Sequence, residues 1–182
     1  MLKVDLILKE WSSVFSFFEL KKYCMIFRKG GIHEKEFLET DSYFGIFKTY
    51  EHESTETVKP SCKSFLTNLT VDYSGTFDLE YIAKIKKSYL VDSLEKLEVL
   101  DEFSPWSLQY LKDRYNFKPK NPLNCYFLEL RKLKIPEKVL YSPEEAKGCK
   151  SWFSPVNEIK IYSSSLINDP MNENKVYSKV GI

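Results

Sequence analysis

Apolar and polar positions alternate along this chain with two distinct periods. Leu8, Trp11, Phe15 and Phe18 recur at three- and four-residue steps, with Lys9, Glu10 and Glu19 off that stripe. The spacing predicts an amphipathic helix over residues 4–20, with Asp5 as its N-cap. Met25, Ile26 and Phe27 form a short apolar run closed by Gly30-Gly31, a strand ending in a turn. Residues 43–50 read as a second, aromatic-rich strand. Residues 53–76 are polar and interrupted by Pro60 and Gly75, which predicts a long loop or a loosely held hairpin.

The strongest strand signal lies at residues 77–86, where Phe77, Leu79, Tyr81, Ala83 and Ile85 alternate with mostly charged neighbours. Asp92-Ser93-Leu94-Glu95 then resembles a capping box and opens a helix carrying Leu94, Leu97 and Leu100. Ser104-Pro105-Trp106 predicts another helix start, with Ser104 as N-cap and proline at the first helical position. Asn121-Pro122 breaks the chain before a strand over residues 124–133, which Pro136 is expected to end. Val139-Leu140-Tyr141 reads as a short return, and residues 148–153 and 159–162 as late strands. Strands and helices do not alternate regularly, so a doubly wound parallel sheet is disfavoured. The pattern predicts an α+β fold: a mixed, largely antiparallel sheet or small barrel flanked by a few helices. Residues 1–165 are expected to form one globular domain, with residues 166–182 as a mobile tail.

Composition narrows the function classes. The chain has 182 residues, of which 43% are hydrophobic and 29% charged, so it is neither disordered nor membrane-embedded. Twenty-seven basic residues against 26 acidic ones leave a net charge of +1. Any affinity for nucleic acid or acidic lipid must therefore come from a local patch. The first residues lack the pattern of a signal peptide, which points to a cytoplasmic protein with no membrane partner. Cys24, Cys62, Cys125 and Cys149 are scattered without a Cys-x-x-Cys pair. A reducing compartment favours free thiols over the two disulfides that an even count allows.

Four features could carry chemistry. Arg28-Lys29-Gly30-Gly31 places two cations at a strand end before paired glycines, where a phosphate could sit. His33-Glu34 and Glu51-His52-Glu53 hold both histidines of the chain beside carboxylates, the residue types for metal binding or proton transfer. If residues 23–32 and 43–52 form a hairpin, Glu51 falls opposite Cys24, roughly 17 Å from the glycine turn. Cys149, between Lys147 and Lys150, is the one cysteine whose neighbours would lower its pKa. Finally, charge is segregated. Residues 32–57 carry seven acids against Lys35 and Lys48. Residues 104–136 carry seven bases (Lys112, Arg114, Lys118, Lys120, Arg131, Lys132, Lys134) against Asp113 and Glu129. Trp106, Tyr110, Tyr115, Phe117 and Tyr126 interleave with those bases. Cations that track phosphates beside aromatics that stack on bases suit single-strand or flipped-base binding.

Several stretches resemble one prokaryotic family, the domain-of-unknown-function family numbered 1802. They are Leu8-Lys9-Glu10-Trp11, Phe27-Arg28-Lys29-Gly30-Gly31-Ile32-His33-Glu34, Phe47-Lys48-Thr49-Tyr50-Glu51-His52, Trp106-Ser107 with Arg114, and Gly148-Cys149-Lys150-Ser151-Trp152. Lys48 stands where that pattern carries proline. The resemblance implies no catalytic residues. More distantly, the architecture is similar to the PUA-like group, whose ASCH, EVE and YTH domains bind RNA or modified bases. That likeness implies that Trp11, Trp106 or Trp152 lines a base pocket, with Arg28 and Lys29 near the backbone.

The resulting expectation is a nucleic-acid-binding module for RNA or for single-stranded or modified DNA, without cofactor, bound metal or catalysis. Arg28, Lys29, Arg114, Lys118 and Lys150 are expected to contact phosphates, and Trp106 or Trp152 to stack on a base. The rival is a metal-dependent hydrolase using Glu34, Glu51, His52 and Glu53 with Lys29. A third reading is a protein-interaction module, including a homodimer.

Overall fold

Two long strands organise the molecule, which a computed structural model describes over residues 1–29, 42–148 and 150–182. The first part of the chain gives β1 (Leu2–Val4), β2 (Ile7–Trp11), α1 (Ser12–Lys21), β3 (Met25–Arg28) and β4 (Phe44–Thr49). A 3₁₀ turn at Pro60–Phe65 precedes β5 (Thr76–Val91), α2 (Leu94–Asp101), α3 (Leu108–Asn116) and β6 (Leu123–Leu140). The remainder is α4 (Pro143–Ala146), β7 (Trp152–Phe153), β8 (Ile159–Ile161), β9 (Ser164–Leu166) and α5 (Pro170–Val180).

Strands β5 and β6 pair antiparallel from Thr76↔Leu140 to Val91↔Leu123. They form the middle of a mixed sheet in the order β3-β6-β5-β4-β2-β7, with β9 on the free part of the β6 edge. The β2·β4 pair is parallel and the others are antiparallel. A small β1·β8 sheet lies beside it. A register shift between Leu79 and Tyr81 switches the faces of β5, so Tyr81 and Ala83 enter the larger core, under α1, while Leu79 and Ile82 enter a second core with Val4, Ile7, Phe47 and Phe153. Gly45 allows the close approach of β2 and β5 in that second core. A Cβ there would lie 2.6 Å from Ile7 Cδ1 and 2.9 Å from Leu79 Cδ1.

The α+β class and the mixed, mainly antiparallel sheet match the sequence expectation, while several local assignments change. The residue 4–20 helix is instead β1, β2 and then α1. Leu8 and Trp11 fit a helical stripe, but pairing with β4 and β7 recruits residues 7–11 as a strand. Among the described residues β3 and β4 do not form the expected 23–32/43–52 hairpin, since β3 pairs with β6 and β4 with β2 and β5. Ser107, not Ser104, caps α3, and its side chain accepts from Tyr110 N–H. Ser93 caps α2 as expected. Strand β6 runs through Pro136 because residues 133–136 stand opposite Glu80 alone, a bulge in which proline has no ladder bond to break.

The C-terminal segment, expected as a mobile tail, is a docked helix. Asp169 caps α5 by accepting from the Met171 and Asn172 N–H groups, and Val176, Tyr177 and Val180 are buried. Asn168 fastens it. Its amide accepts from Leu130 N–H and donates to Leu128 C=O and Glu173, filling the β6 edge between the lengths covered by β3 and β9. Asn168→Ala leaves two buried backbone groups without partners and is expected to cost about 2 kcal/mol. Urea unfolding checks this, and a loss below about 0.5 kcal/mol would contradict the clamp.

Candidate nucleic-acid interface

The sheet curls until its two ends meet. Arg28, at the end of edge strand β3, reaches β2 on the far side. It donates to Lys9 C=O at 2.8 Å and forms an ion pair with Glu10 at 2.7 Å. The Glu10 side chain also accepts from Trp11 N–H. Neither charge is solvated, as the side chains of Arg28 and Glu10 are 14% and 9% exposed. Arg28 is thus the tie across the seam of a half-barrel, which occupies the group expected to meet phosphate.

Lys29 turns the other way. Its ammonium donates to Tyr115 C=O and Phe117 C=O, the unsatisfied carbonyls at the end of α3, and lies 5.8 Å from the Tyr115 ring. The residue is buried, and burial together with the nearby Arg114 charge holds its pKa below the usual lysine range. Around this brace sit Trp11 and Tyr110, half-buried, with ring centroids 5.1 Å apart. Arg114 approaches the Tyr110 hydroxyl at 3.5 Å. Burial raises the Tyr110 pKa, with Glu10 adding to the effect and Arg114 opposing it.

Beyond the end of α3 the chain is open to solvent. Phe117 is 57% exposed, and Lys118 adopts a left-handed conformation (φ 48°) that turns the chain back toward β6. The Lys118 ammonium lies 5.5 Å from the Phe117 ring centroid. Three of the seven bases in residues 104–136 are paired elsewhere: Lys112 with Glu98, Arg131 with Glu129, and Lys132 with Glu19. Among the described residues, Arg114, Lys118, Lys120 and Lys134 have no acidic partner, the first three at or just after the end of α3 and Lys134 on β6. Three of the four unpaired bases thus gather at one tip, beside an exposed aromatic.

The structure brings Arg28, Lys29, Arg114 and Lys118 to the same end of the sheet. Lys150 is exposed and lies next to the seam, because Ser151 C=O accepts from Lys9 N–H. Trp106 is a correction: it is 4% exposed, with Phe27 and Phe18 packed edge-on around it, so neither face can take a base. Trp152 is half-buried, edge-on to Phe44 and opposite Leu8 in the sheet, a position in the wall rather than on a platform. Sequence reasoning named Phe117 among the interleaved aromatics without placing it in the site. The available signal was its position after a helix end and before Pro119, where no core element continues to bury it.

The carboxylate cluster disperses. Glu51 accepts from the Tyr73 hydroxyl, and His52 occupies an exposed turn at φ 66°. Glu53 accepts from Ser13 N–H and Oγ–H, capping the start of α1, and burial pushes its pKa up. Among the described residues no three His, Cys, Asp or Glu side chains converge on a possible metal position. Glu34, the Gly30-Gly31 turn and Cys149 lie outside the described residues. Cys24 and Cys125 are buried, and burial drives both thiol pKa values well up. Among the described residues, no helix is long and apolar enough to cross a membrane.

Comparison with curated proteins returns no match. A solved structure, that of a mutant ZmASCH protein from Zymomonas mobilis, aligns over 95% of this chain and 94% of its own at 9% identity. Its TM-score is 0.43, and at that level the likeness carries no argument about this molecule. The family comparison is direct, since one family model spans nearly the whole described fold, from the start of β2 into α5. The chain belongs to that family, described as Domain of unknown function (DUF1802), which matches residues 7–174.

Proposed function

We propose that this protein is a nucleic-acid-binding module that grips RNA, or single-stranded or modified DNA, at the basic end of a PUA-like half-barrel. The observation that supports it is the tip after α3. Arg114, Lys118 and Lys120 have no acidic partner among the described residues and lie within three residues of Phe117, whose exposed ring is 5.5 Å from the Lys118 ammonium. Cations without an acidic partner hold counterions or phosphates. An aromatic face stacks on any base, so this combination binds a strand with little regard to sequence. The paired bases of β6 contribute little, because their charges are already neutralised within the fold.

Fluorescence anisotropy of labelled single-stranded RNA, single-stranded DNA and duplex DNA, with and without magnesium, tests this reading. Three neutralised phosphates give a slope of about −2 in log K against log salt for a single strand. Raising salt from 50 to 200 mM then weakens binding roughly fifteen- to twentyfold. Lys118→Glu combined with Lys120→Glu is expected to lower affinity at least tenfold at the lower salt. Absence of binding at 50 mM salt, or binding that ignores salt, overturns the proposal. Cleavage that needs magnesium would replace it with the hydrolase reading.

A further inference from the structure

We infer that Lys29 is a positioning residue of this interface, fixing the α3 tip that meets the strand rather than touching phosphate itself. The inference rests on the nucleic-acid reading above. Lys29 is only 8% exposed, and its ammonium already donates to two carbonyls, Tyr115 C=O and Phe117 C=O. Those carbonyls belong to the residues that bracket the end of α3, where the backbone presents acceptors without intrahelical donors. A cation there also complements the negative end of the helix dipole. The residue held by the second bond is the exposed Phe117, and the next is Lys118 with its left-handed backbone.

Arg28 and Lys29 together make a three-way brace. Successive residues of a strand end point to opposite sides, so Arg28 ties β3 to β2 and Lys29 ties β3 to α3. The strand end thereby fixes the distance between the barrel seam and the tip. Removing Lys29 releases the tip without removing a charge that a phosphate could reach, whereas removing Lys118 does the reverse. The two losses leave different signatures in the salt dependence.

The experiment compares Lys29→Met, Lys29→Arg and Lys118→Met with the parent protein, by single-strand binding at several salt concentrations and by amide hydrogen exchange. Lys29→Met is expected to weaken binding three- to tenfold with an unchanged salt slope, and to speed exchange at residues 116–121. Lys29→Arg, which can still donate to both carbonyls, restores both properties. Lys118→Met makes the salt slope shallower by about 0.7 and leaves exchange at 116–121 unchanged, apart from its own amide. A Lys29→Met slope as shallow as that of Lys118→Met shows direct phosphate contact and overturns the inference. Unaltered exchange at the tip also overturns it. If no variant and not the parent protein binds a strand, the nucleic-acid reading fails, while the exchange comparison still decides whether Lys29 holds the tip.

Discussion

Glu10→Ala is expected to destabilise the fold by about 3 kcal/mol, the lower end of the range for breaking a buried ion pair by removing one partner. The cost arises from what stays behind. The Arg28 guanidinium loses the carboxylate that meets it at 2.7 Å, where both side chains are largely shielded from water. Trp11 N–H loses its acceptor in the same step. For a chain of this size the loss corresponds to a melting temperature lower by about 10 °C. The replacement Glu10→Leu with Arg28→Met removes both charges together and is expected to be far milder, because well-packed apolar side chains can substitute for a buried pair. Denaturant unfolding of the two variants and the parent protein settles the point. A Glu10→Ala loss under 1 kcal/mol would mean that the seam is wet and that the pair does not close the half-barrel.

Trp106→Ala should cost as much or more, about 3–5 kcal/mol, the range for emptying a buried aromatic site. The indole is enclosed by Phe18 and Phe27, and the adjoining backbone bridges to Val58. Its loss leaves a cavity that three separate segments would have to move to close. Trp106→Phe keeps most of the volume and is expected to recover a large share of the stability. The same pair of variants separates core from interface. With Trp106→Phe folded, single-strand affinity should stay within twofold of the parent, whereas Phe117→Ala should weaken it about tenfold, in line with the cost of one lost base stack. A Trp106→Phe protein that is fully stable but binds poorly would return the indole to the interface.

Much of the architecture was legible in the residues. The period of two at 77–86 marks a strand because successive side chains must serve two faces, and both faces of β5 are indeed buried by different cores. Ser93 announces α2 because a short side chain can satisfy a free N–H there. Residues 4–20 misled because three- and four-residue spacing also occurs by chance across a strand followed by a helix. Pro136 misled because proline breaks a regular ladder but not a bulge, and a bulge is set by the partner strand. The C-terminal helix went unseen because its anchor is tertiary, a side-chain amide inserted into the β6 edge 38 residues away in sequence.

For the proposed interface the division is similar. The sequence by itself determined the ingredients: a basic stretch interleaved with aromatics, an Arg-Lys pair at a strand end, and a helix opening near Ser104-Pro105 ahead of the Asn121-Pro122 break. Those follow from charge count, spacing and local backbone preference, which act over a few residues. Only the tertiary structure decided which cations are spent inside the fold and which face water. Pairing of Arg28 with Glu10 joins positions 18 residues apart, and Lys29 meets carbonyls 86 and 88 residues away. Burial also chose among the aromatics, enclosing Trp106 and leaving Phe117 exposed. Partner choice and solvent exposure depend on how the sheet curls, and that curl comes from strand pairings between segments whose local patterns carry no record of one another.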